Sequence, residues 1–225
     1  MKRLRTAWDD APIYAAAERR APPQRTQARA RRASPLSPLT ALLLAACITG
    51  SACTHERDAA AVRDLAGAAH RPTQPSGDAV HVLVFISHEC PIANAYAPTL
   101  RALHAAWRTE PRVQLYLVHV DPDLAVEAAR RHAERYELPG TVLLDPDHRV
   151  VQSCGATITP EAVVWTSQGQ AYRGRIDDQW RKLGSRAAVA STHDLAAAVR
   201  CTLAGEPVPE PFPAAIGCPM PELAR

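Results

Sequence analysis

Cys90 is the residue of this sequence whose setting most clearly suggests chemistry. It follows an apolar run within residues 79–87, which predicts a buried strand, and it precedes Pro91, a residue favoured in the first turn of a helix. A thiol at the start of a helix faces free backbone N–H groups and the positive end of the helix dipole, and both favour the thiolate. Because the thiolate is the reactive form of cysteine, this spacing predicts a nucleophile at a strand-to-helix junction.

The side chains of the two residues before Cys90 would have opposite effects on its ionisation. A protonated His88 beside the sulfur would favour the thiolate, whereas an ionised Glu89 would disfavour it. The sequence does not say which side chain points at the sulfur. His88 is therefore a candidate helper of Cys90, and a solvated loop histidine is the alternative interpretation.

The segment around Cys90 resembles the active-site region of the thioredoxin superfamily. Pro98 lies eight residues after Cys90, where thioredoxins carry a kinking proline within the helix. Thr159-Pro160 precedes a further apolar run, as the cis-proline of that family does. The resemblance extends over about residues 79–204.

The spacing further along the chain resembles one branch of that superfamily. Residues 143–150 (Leu-Leu-Asp-Pro-Asp-His-Arg-Val) are similar to the strand and turn that redoxins place between helix and cis-proline. The gap from Cys90 to Pro160 also suits redoxins and peroxiredoxins, which insert a strand and a helix there. The resemblance, together with the alternation of predicted strands and helices, implies a thioredoxin-like α/β fold: a central mixed sheet flanked by helices on both faces.

The resemblance also implies roles for three residues. Cys90 is the catalytic thiol, and Thr159 and Pro160 pack beside it. A cis-proline lacks an N–H group and leaves the preceding backbone free to pair with a bound, extended peptide. No cofactor is implied, because sulfur itself carries the electrons.

A departure from the thioredoxin pattern concerns the second thiol. Thioredoxins carry Cys-x-x-Cys, but the fourth position here is Ala93, so a resolving thiol must come from elsewhere in the chain or from a partner. Cys218, on a proline-rich tail, and Cys154 are the candidates. Two pairings of Cys218 stay open: with Cys90 as a working redox pair, or with Cys201 as a staple for the tail. Helical spacing places Cys201 off the apolar face of the last predicted helix, which predicts an accessible thiol.

The predicted function is thiol–disulfide exchange with a protein or small-molecule disulfide or thiol. A peroxiredoxin-like thiol peroxidase is the enzymatic alternative. Ser87 lies three residues before the cysteine, as in peroxiredoxins, but Leu83 stands where they carry proline. Arg173 and Arg175 are candidates for the arginine that peroxiredoxins use to stabilise a thiolate or peroxide.

A non-enzymatic alternative is a copper-binding or assembly factor on the same fold. His88, Cys90 and His119 resemble part of the ligand set of copper chaperones with this fold. Those chaperones carry two cysteines in one loop, and this loop has one. We therefore predict no metal site.

The N-terminal part of the chain predicts export. Basic residues precede a short apolar stretch within residues 34–53, which is typical of an export signal and too short to span a bilayer as a helix. Residues 44–47 (Leu-Ala-Ala-Cys) resemble a bacterial lipobox, in which the cysteine is lipidated. We expect residues 1–47 to be a basic leader and lipoprotein-type signal peptide. Cys47 would then anchor the protein to a membrane on the periplasmic or outer side of a bacterial cell, an oxidising location.

Composition sets the remaining boundaries. Residues 48–78 are polar and predict a linker, residues 79–204 predict the redoxin domain, and residues 205–225 are rich in proline and predict an extended tail.

The formal net charge is +3, yet residues 1–32 alone hold nine Lys or Arg and three acidic residues. The rest of the chain is mildly acidic, so nucleic-acid binding is not indicated. Oligomeric state is left open.

Overall fold

The computed structural model describes residues 61–223, over most of which strands and helices alternate. The strands are β1 (Val62–Asp64), β2 (Ala69–His70), β3 (Val80–Ile86), β4 (Val113–His119), β5 (Thr141–Leu144), β6 (Ile158–Thr159), β7 (Glu161–Thr166), β8 (Gly169–Gly174), β9 (Trp180–Lys182), β10 (Ser185–Arg186) and β11 (Cys218–Pro219). The helices are α1 (Pro91–Ala95), α2 (Ala97–Trp107), α3 (Val126–Tyr136), α4 (Arg149–Cys154) and α5 (Asp194–Leu203).

Seven strands form a mixed sheet in the order β2-β1-β5-β4-β3-β7-β8. The central strand β3 runs parallel to β4 and antiparallel to β7, so that Val84 lies between Leu117 and Ala162. All seven residues of β3 are buried. Such a strand reads as a continuous apolar run because both of its faces are covered. The sheet and its helices confirm the predicted thioredoxin-like α/β fold.

Alternate side chains of the central strands enter two cores. Val82, Val84 and Ile86 of β3 pack with α1, α2 and α5 on one face of the sheet. Leu83 and Phe85 face the other side, where α4 completes the second core. Helices therefore lie on both faces, and the end of β3 is held between two packed layers.

The segment that follows Cys90 forms two helices, α1 and α2, that meet at Tyr96. Pro98 cannot donate a backbone hydrogen bond, and its ring clashes with the carbonyl four residues earlier. The N–H of Tyr96 still donates to Ile92 O and Ala93 O, and a new helix begins at Ala97. This break leaves α1 as a short segment that carries Cys90 at its start.

The predicted linker over residues 48–78 extends too far into the domain. Residues 62–64 and 69–70 form β1 and β2, and β1 pairs antiparallel with β5 at the edge of the sheet. Their short polar sequences do not alternate in the way that marks a half-buried strand. Residues 1–60, with Cys47 and Cys53, lie outside the described residues. Within residues 61–223, no helix combines the length and apolar character needed to cross a bilayer.

The C-terminal tail is extended, as predicted, but it lies against the domain. The N–H groups of Arg173 and Arg175 donate to Pro211 O at 2.9 Å and to Pro213 O at 3.3 Å. Further along, β11 pairs antiparallel with β6. Cys218 is therefore held against the domain by strand pairing.

Asp145 joins β5 to α4. Its carboxylate accepts hydrogen bonds from the backbone N–H groups of Arg149, Val150 and Val151 at 2.8–2.9 Å. Asp145 is 1% exposed, and these N–H groups have no carbonyl partner within the first turn of α4. The carboxylate thus satisfies three donors at once and fixes the start of the helix.

We expect Asp145→Ala to lower the free energy of unfolding by about 3 kcal/mol, because it leaves buried N–H groups without an acceptor. Urea unfolding followed by circular dichroism measures the loss. Asp147→Ala is the matched control, since the Asp147 side chain is 67% exposed and pairs only with Arg149. The control should cost less than about 0.5 kcal/mol. Equal losses in the two variants would contradict the capping role.

Candidate active site

Cys90 lies where β3 passes into α1. It is the N-cap residue of α1, and the Ala93 N–H donates to its sulfur at 3.4 Å. Pro91 occupies the first turn, as the sequence predicted. Cys90 is 2% exposed, so its sulfur is almost fully covered. The thiol is therefore held at a helix start and shielded from solvent.

Thr159 and Pro160 lie beside this thiol. The peptide bond between them is cis, as the resemblance to thioredoxins implied. The Cys90 thiol donates a hydrogen bond to Thr159 O at 3.1 Å, across 69 positions of the chain. Thr159 is fully buried, and Glu161 begins β7 directly after the proline. The structure thus brings Cys90, Thr159 and Pro160 together.

Cys218 is the second thiol at this place. Its sulfur lies 2.8 Å from that of Cys90, and both cysteines are free. In the antiparallel pair of β6 and β11, Cys218 lies opposite Thr159. Burial raises the pKa of the Cys218 thiol to about 11, and the hydrogen bond with Cys90 and the charge of Cys90 add to the shift. Cys218 therefore keeps its proton at neutral pH.

The other two described cysteines lie elsewhere. Cys154 is 2% exposed and belongs to the core on the opposite face of the sheet from Cys90. Burial raises its pKa to about 12, with a further contribution from the charge of Asp145. Cys201 is 8% exposed, so the prediction of an accessible thiol is wrong. The helix α5 ends in a turn just beyond it, where Glu206 N donates to Cys201 O at 2.8 Å.

Arg173 and Arg175 were candidate helpers, but the structure gives both guanidinium groups other partners. Arg173 donates to the carbonyl of Gly155 and lies 3.6 Å from Glu161. Arg175 makes a bidentate pair with Asp194 at 2.9 and 3.0 Å. Among the contacts of the described residues, neither arginine reaches the Cys90 sulfur.

Asp121 organises the loop before Cys90, a role that the sequence analysis missed. Its carboxylate accepts hydrogen bonds from Ser87 Oγ at 2.5 Å, from the His88 N–H at 3.0 Å and from His119 Nδ1 at 3.2 Å. Burial by itself raises the pKa of Asp121, but the bonds from His119, Ser87 and His88 outweigh it and hold the pKa well below its usual range. The sequence could have predicted this contact, because Ser87 and Asp121 follow β3 and β4. The carboxyl ends of neighbouring parallel strands meet at one edge of the sheet.

The side chain of His88 also faces Asp121. Its Nδ1 lies 3.2 Å from Asp121 Oδ1, and the side chain is 38% exposed. His119 was considered as a copper ligand with His88 and Cys90, yet both histidines face this carboxylate. Within residues 61–223, no group of three or more His, Cys, Asp or Glu side chains is arranged to hold a metal ion.

A hydrogen-bonded chain links the Cys90 loop to α3. Asn94 donates from Nδ2 to His88 O at 3.1 Å and accepts at Oδ1 from His132 Nε2 at 2.8 Å. The rings of His132 and His119 pack edge to face with centroids 5.0 Å apart. Burial lowers the pKa of His132 to about 4, and repulsion from His119 and His88 adds to the shift.

A match to a protein-family model covers residues 59–176 and carries the description AhpC/TSA family. The chain belongs to the AhpC/TSA family. The matched segment includes Cys90, Thr159 and Pro160. Cys218 lies beyond its end, so the second thiol of the site comes from a part of the chain that the AhpC/TSA model does not cover. The comparison with curated proteins produced no match.

Solved structures similar to this AhpC/TSA family member share its fold. An uncharacterised conserved protein from Geobacillus kaustophilus is 25% identical, with a TM-score of 0.61 over 72% of this chain and 87% of its own. A hypothetical protein from Sinorhizobium meliloti 1021 is 22% identical, with a TM-score of 0.60 over 72% and 91%. A secreted Mycobacterium tuberculosis disulfide oxidoreductase is 22% identical over 67% and 98%, and its TM-score of 0.46 supports no inference about activity.

A surface cavity of about 500 Å³ lies away from the thiols of this AhpC/TSA protein. It is lined by residues of β1, the turn that follows β1 and residues 144–149. None of the candidate site residues lines it. The cavity and the covered pair of sulfurs are therefore separate features of this protein.

The low pKa of His132 predicts a pH dependence of stability. Since the folded pKa lies below the ordinary value of 6.5, the unfolded chain binds the extra proton between about pH 6.5 and 4, and stability falls as pH falls through that window. We expect a loss of about 2 kcal/mol between pH 7 and pH 5 that His132→Gln removes. Urea unfolding at the two pH values measures this. The amide of glutamine keeps a donor for Asn94 and does not titrate, and an unchanged loss in the variant would contradict the assignment.

Proposed function

We propose that this protein is a thiol–disulfide oxidoreductase that uses Cys90 and Cys218 as its redox pair. The observation that carries the proposal is the 2.8 Å separation of the two sulfur atoms beside Thr159 and Pro160. A thiol at a helix start with a second thiol in direct reach is the arrangement that disulfide exchange requires. The fold and the family are consistent with this chemistry.

The first step is attack of the Cys90 thiolate on a substrate disulfide. A bond forms between the Cys90 sulfur and one substrate sulfur, the substrate disulfide breaks, and the other substrate sulfur leaves as a thiolate. The Ala93 N–H lies 3.4 Å from the Cys90 sulfur, and the Cys218 sulfur lies 2.8 Å from it.

The second step is attack of Cys218 on the mixed disulfide. Cys218 loses its proton to solvent and bonds to the Cys90 sulfur, and the second substrate thiolate leaves. The protein is then oxidised by two electrons, and the substrate disulfide is reduced to two thiols. The hydrogen bond and charge of Cys90 help to raise the pKa of Cys218. Both disappear once Cys90 is in the mixed disulfide, so Cys218 becomes easier to deprotonate when it has to attack.

The reverse sequence of steps oxidises a substrate dithiol, and the substrate is a protein or small-molecule disulfide or thiol in either direction. No cofactor is needed, because the two sulfurs carry the electrons. Peroxide reduction is supported less well. Ser87 donates to Asp121, and Arg173 and Arg175 contact other groups, so these polar side chains do not act on the Cys90 sulfur.

Export is a separate part of the proposal and rests on the sequence before residue 54. Basic residues, an apolar stretch and the Leu-Ala-Ala-Cys run at residues 44–47 are typical of a bacterial lipoprotein signal. A lipid on Cys47 would hold the redoxin domain at a membrane, in a compartment where disulfides form and persist.

We expect peptide mass mapping of the protein, purified without reductant and alkylated, to find Cys90 linked to Cys218 and Cys201 free. The two sulfurs are already within 2.8 Å, so the disulfide needs little rearrangement. Cys90→Ser is the control that must abolish the linked peptide. A Cys201–Cys218 link, or alkylation of both Cys90 and Cys218 after mild oxidation, would contradict the proposed pair.

We expect Cys218→Ser to trap the mixed disulfide on Cys90 and to lower turnover by about 100-fold or more, because the second step loses its nucleophile. Trapping is read by intact mass after reaction with a small disulfide, and turnover is followed with a dithiol reductant. Cys154→Ala and Cys201→Ala are the matched controls and should retain turnover, since both thiols are buried away from Cys90. Normal turnover by Cys218→Ser would point to a resolving thiol from a partner. Peroxide consumption as fast as disulfide exchange would favour the peroxidase alternative.

We expect intact mass measurement of the protein extracted from membranes to give a chain that begins at Cys47 and carries lipid. Cys47→Ser should release the protein from the membrane fraction, because serine has no thiol to carry the lipid. Recovery of an unlipidated chain that retains residues before Cys47 would contradict the anchor and leave the redox proposal untouched.

A further inference from the structure

The Cys90 thiol and the backbone of Thr159 are covered by the chain's own C-terminal residues. Cys90 is 2% exposed, and Thr159 is fully buried. The covering segment, residues 217–220, is called the tail strand. It pairs antiparallel with β6, with Cys218 opposite Thr159 and Pro219 opposite Ile158, and Met220 N donates to Thr157 O at 3.4 Å. A substrate that is to reach Cys90 has to take the place of this strand.

The tail strand approaches the backbone of β6 closely at Gly217. A Cβ atom added to Gly217 would lie 2.2 Å from Thr159 O and 2.6 Å from Thr159 C. Side-chain atoms do not approach backbone atoms so closely, and the neighbour here is backbone that cannot swing away. Glycine is therefore required directly before the cysteine when an extended segment lies on β6 in this register.

The attachment of the tail is made mostly of backbone contacts. Upstream of the tail strand, Pro211 O and Pro213 O accept hydrogen bonds from β8, and Pro213 is buried against Gly174. Phe212, the large apolar side chain between them, is 61% exposed. Segments with few buried apolar side chains open more readily than core elements. The tail strand adds only partly buried side chains to the cores, Cys218 to the first and Met220 to the second, so it can leave with less loss of packing than a core element.

We propose that the tail strand is a tethered competitor of the substrate. It occupies the place in which a substrate polypeptide lies extended on β6, and the preferred substrate carries glycine directly before its reactive cysteine. The inference rests on the proposed function and adds to it the class of substrate and its regulation. The tail lies beyond the residues that match the AhpC/TSA model.

The redox state of the pair controls this competition. A Cys90–Cys218 disulfide ties the tail strand covalently over the site. An external dithiol reduces that bond by two electrons, leaves Cys90 and Cys218 as thiols and becomes a disulfide itself. After reduction, the tail strand is held only by the contacts described above. A substrate segment then competes with it for the edge of β6.

A peptide of residues 214–222 tests the glycine requirement. Its cysteine is activated as a mixed disulfide with 5-thio-2-nitrobenzoate, so that attack by Cys90 releases the coloured thiolate and leaves the peptide on the protein. The full-length Cys218→Ser protein is used, because its tail strand remains and its resolving thiol does not. We expect the peptide with glycine to react about tenfold faster than the peptide with alanine there, and the peptide with valine to react more slowly again. Cys90→Ser, made in the same Cys218→Ser protein, gives the background rate.

Gly217→Ala in the full chain tests the competition from the other side. The added methyl group should push the tail strand away from Thr159 and raise the rate of Cys90 alkylation by iodoacetamide about tenfold. Ala214→Ser, at an exposed position of the same tail, is the matched control and should leave the rate unchanged. If Gly217→Ala does not fold, the peptide series on the Cys218→Ser protein still tests whether β6 requires glycine before the cysteine.

Equal rates for the glycine, alanine and valine peptides would overturn the inference, as would slower alkylation of Cys90 in folded Gly217→Ala protein. Either result can occur while the Cys90–Cys218 disulfide forms normally, and the proposed function would then stand without the competitor. Absence of that disulfide from the mapping experiment, with a clear preference for the glycine peptide, would reject the redox pair and keep the peptide site.

Discussion

Burial of β3 on both faces is the constraint on which the rest of the structure depends. The strand is bonded to β4 along one edge and to β7 along the other, and its side chains enter both cores. Its carboxyl end therefore has no freedom to shift. Val120 N donates to Ile86 O at 3.1 Å, which aligns the ends of β3 and β4 and sets the loop before Cys90 next to Asp121. The position of the nucleophile follows from the packing of a strand that takes no part in the chemistry.

Asp121 shows how a buried charge is tolerated near this site. An isolated carboxylate in a protein interior would be costly, and the usual outcome is neutralisation. Here donors from Ser87, His88 and His119 converge on one carboxylate and hold its pKa low, so that the charge persists and the loop is held from three directions. Asn94 and His132 extend the same network to α3. The loop that carries Cys90 is thereby tied to helices on its own face of the sheet.

The tail gives the site its second thiol and its cover at the same time. A single approach of backbone to backbone, at Gly217 and Thr159, allows the pairing of β11 with β6 that brings the Cys218 sulfur to Cys90. A larger residue at 217 would move both the cover and the thiol. In the proposed mechanism, protection of Cys90 and supply of the resolving thiol are therefore two consequences of one contact.

The sequence alone determined the parts of this protein that depend on local patterns. The apolar run before Cys90, the proline after it and the Thr159-Pro160 pair were sufficient to predict the α/β fold, the central strand and the cysteine at a helix start. Only the tertiary structure decided where the other thiols lie. Cys201 is 8% exposed although it lies off the apolar face of its helix, because helical spacing describes one helix and burial depends on what surrounds that helix in the folded chain. Cys218 meets Cys90 across 128 positions of the chain through pairing of two-residue strands, too short to leave a periodic pattern. Strands β1 and β2, of three and two residues, are also too short to leave a periodic pattern; pairing with the distant β5 makes β1 a strand, and β2 pairs with β1.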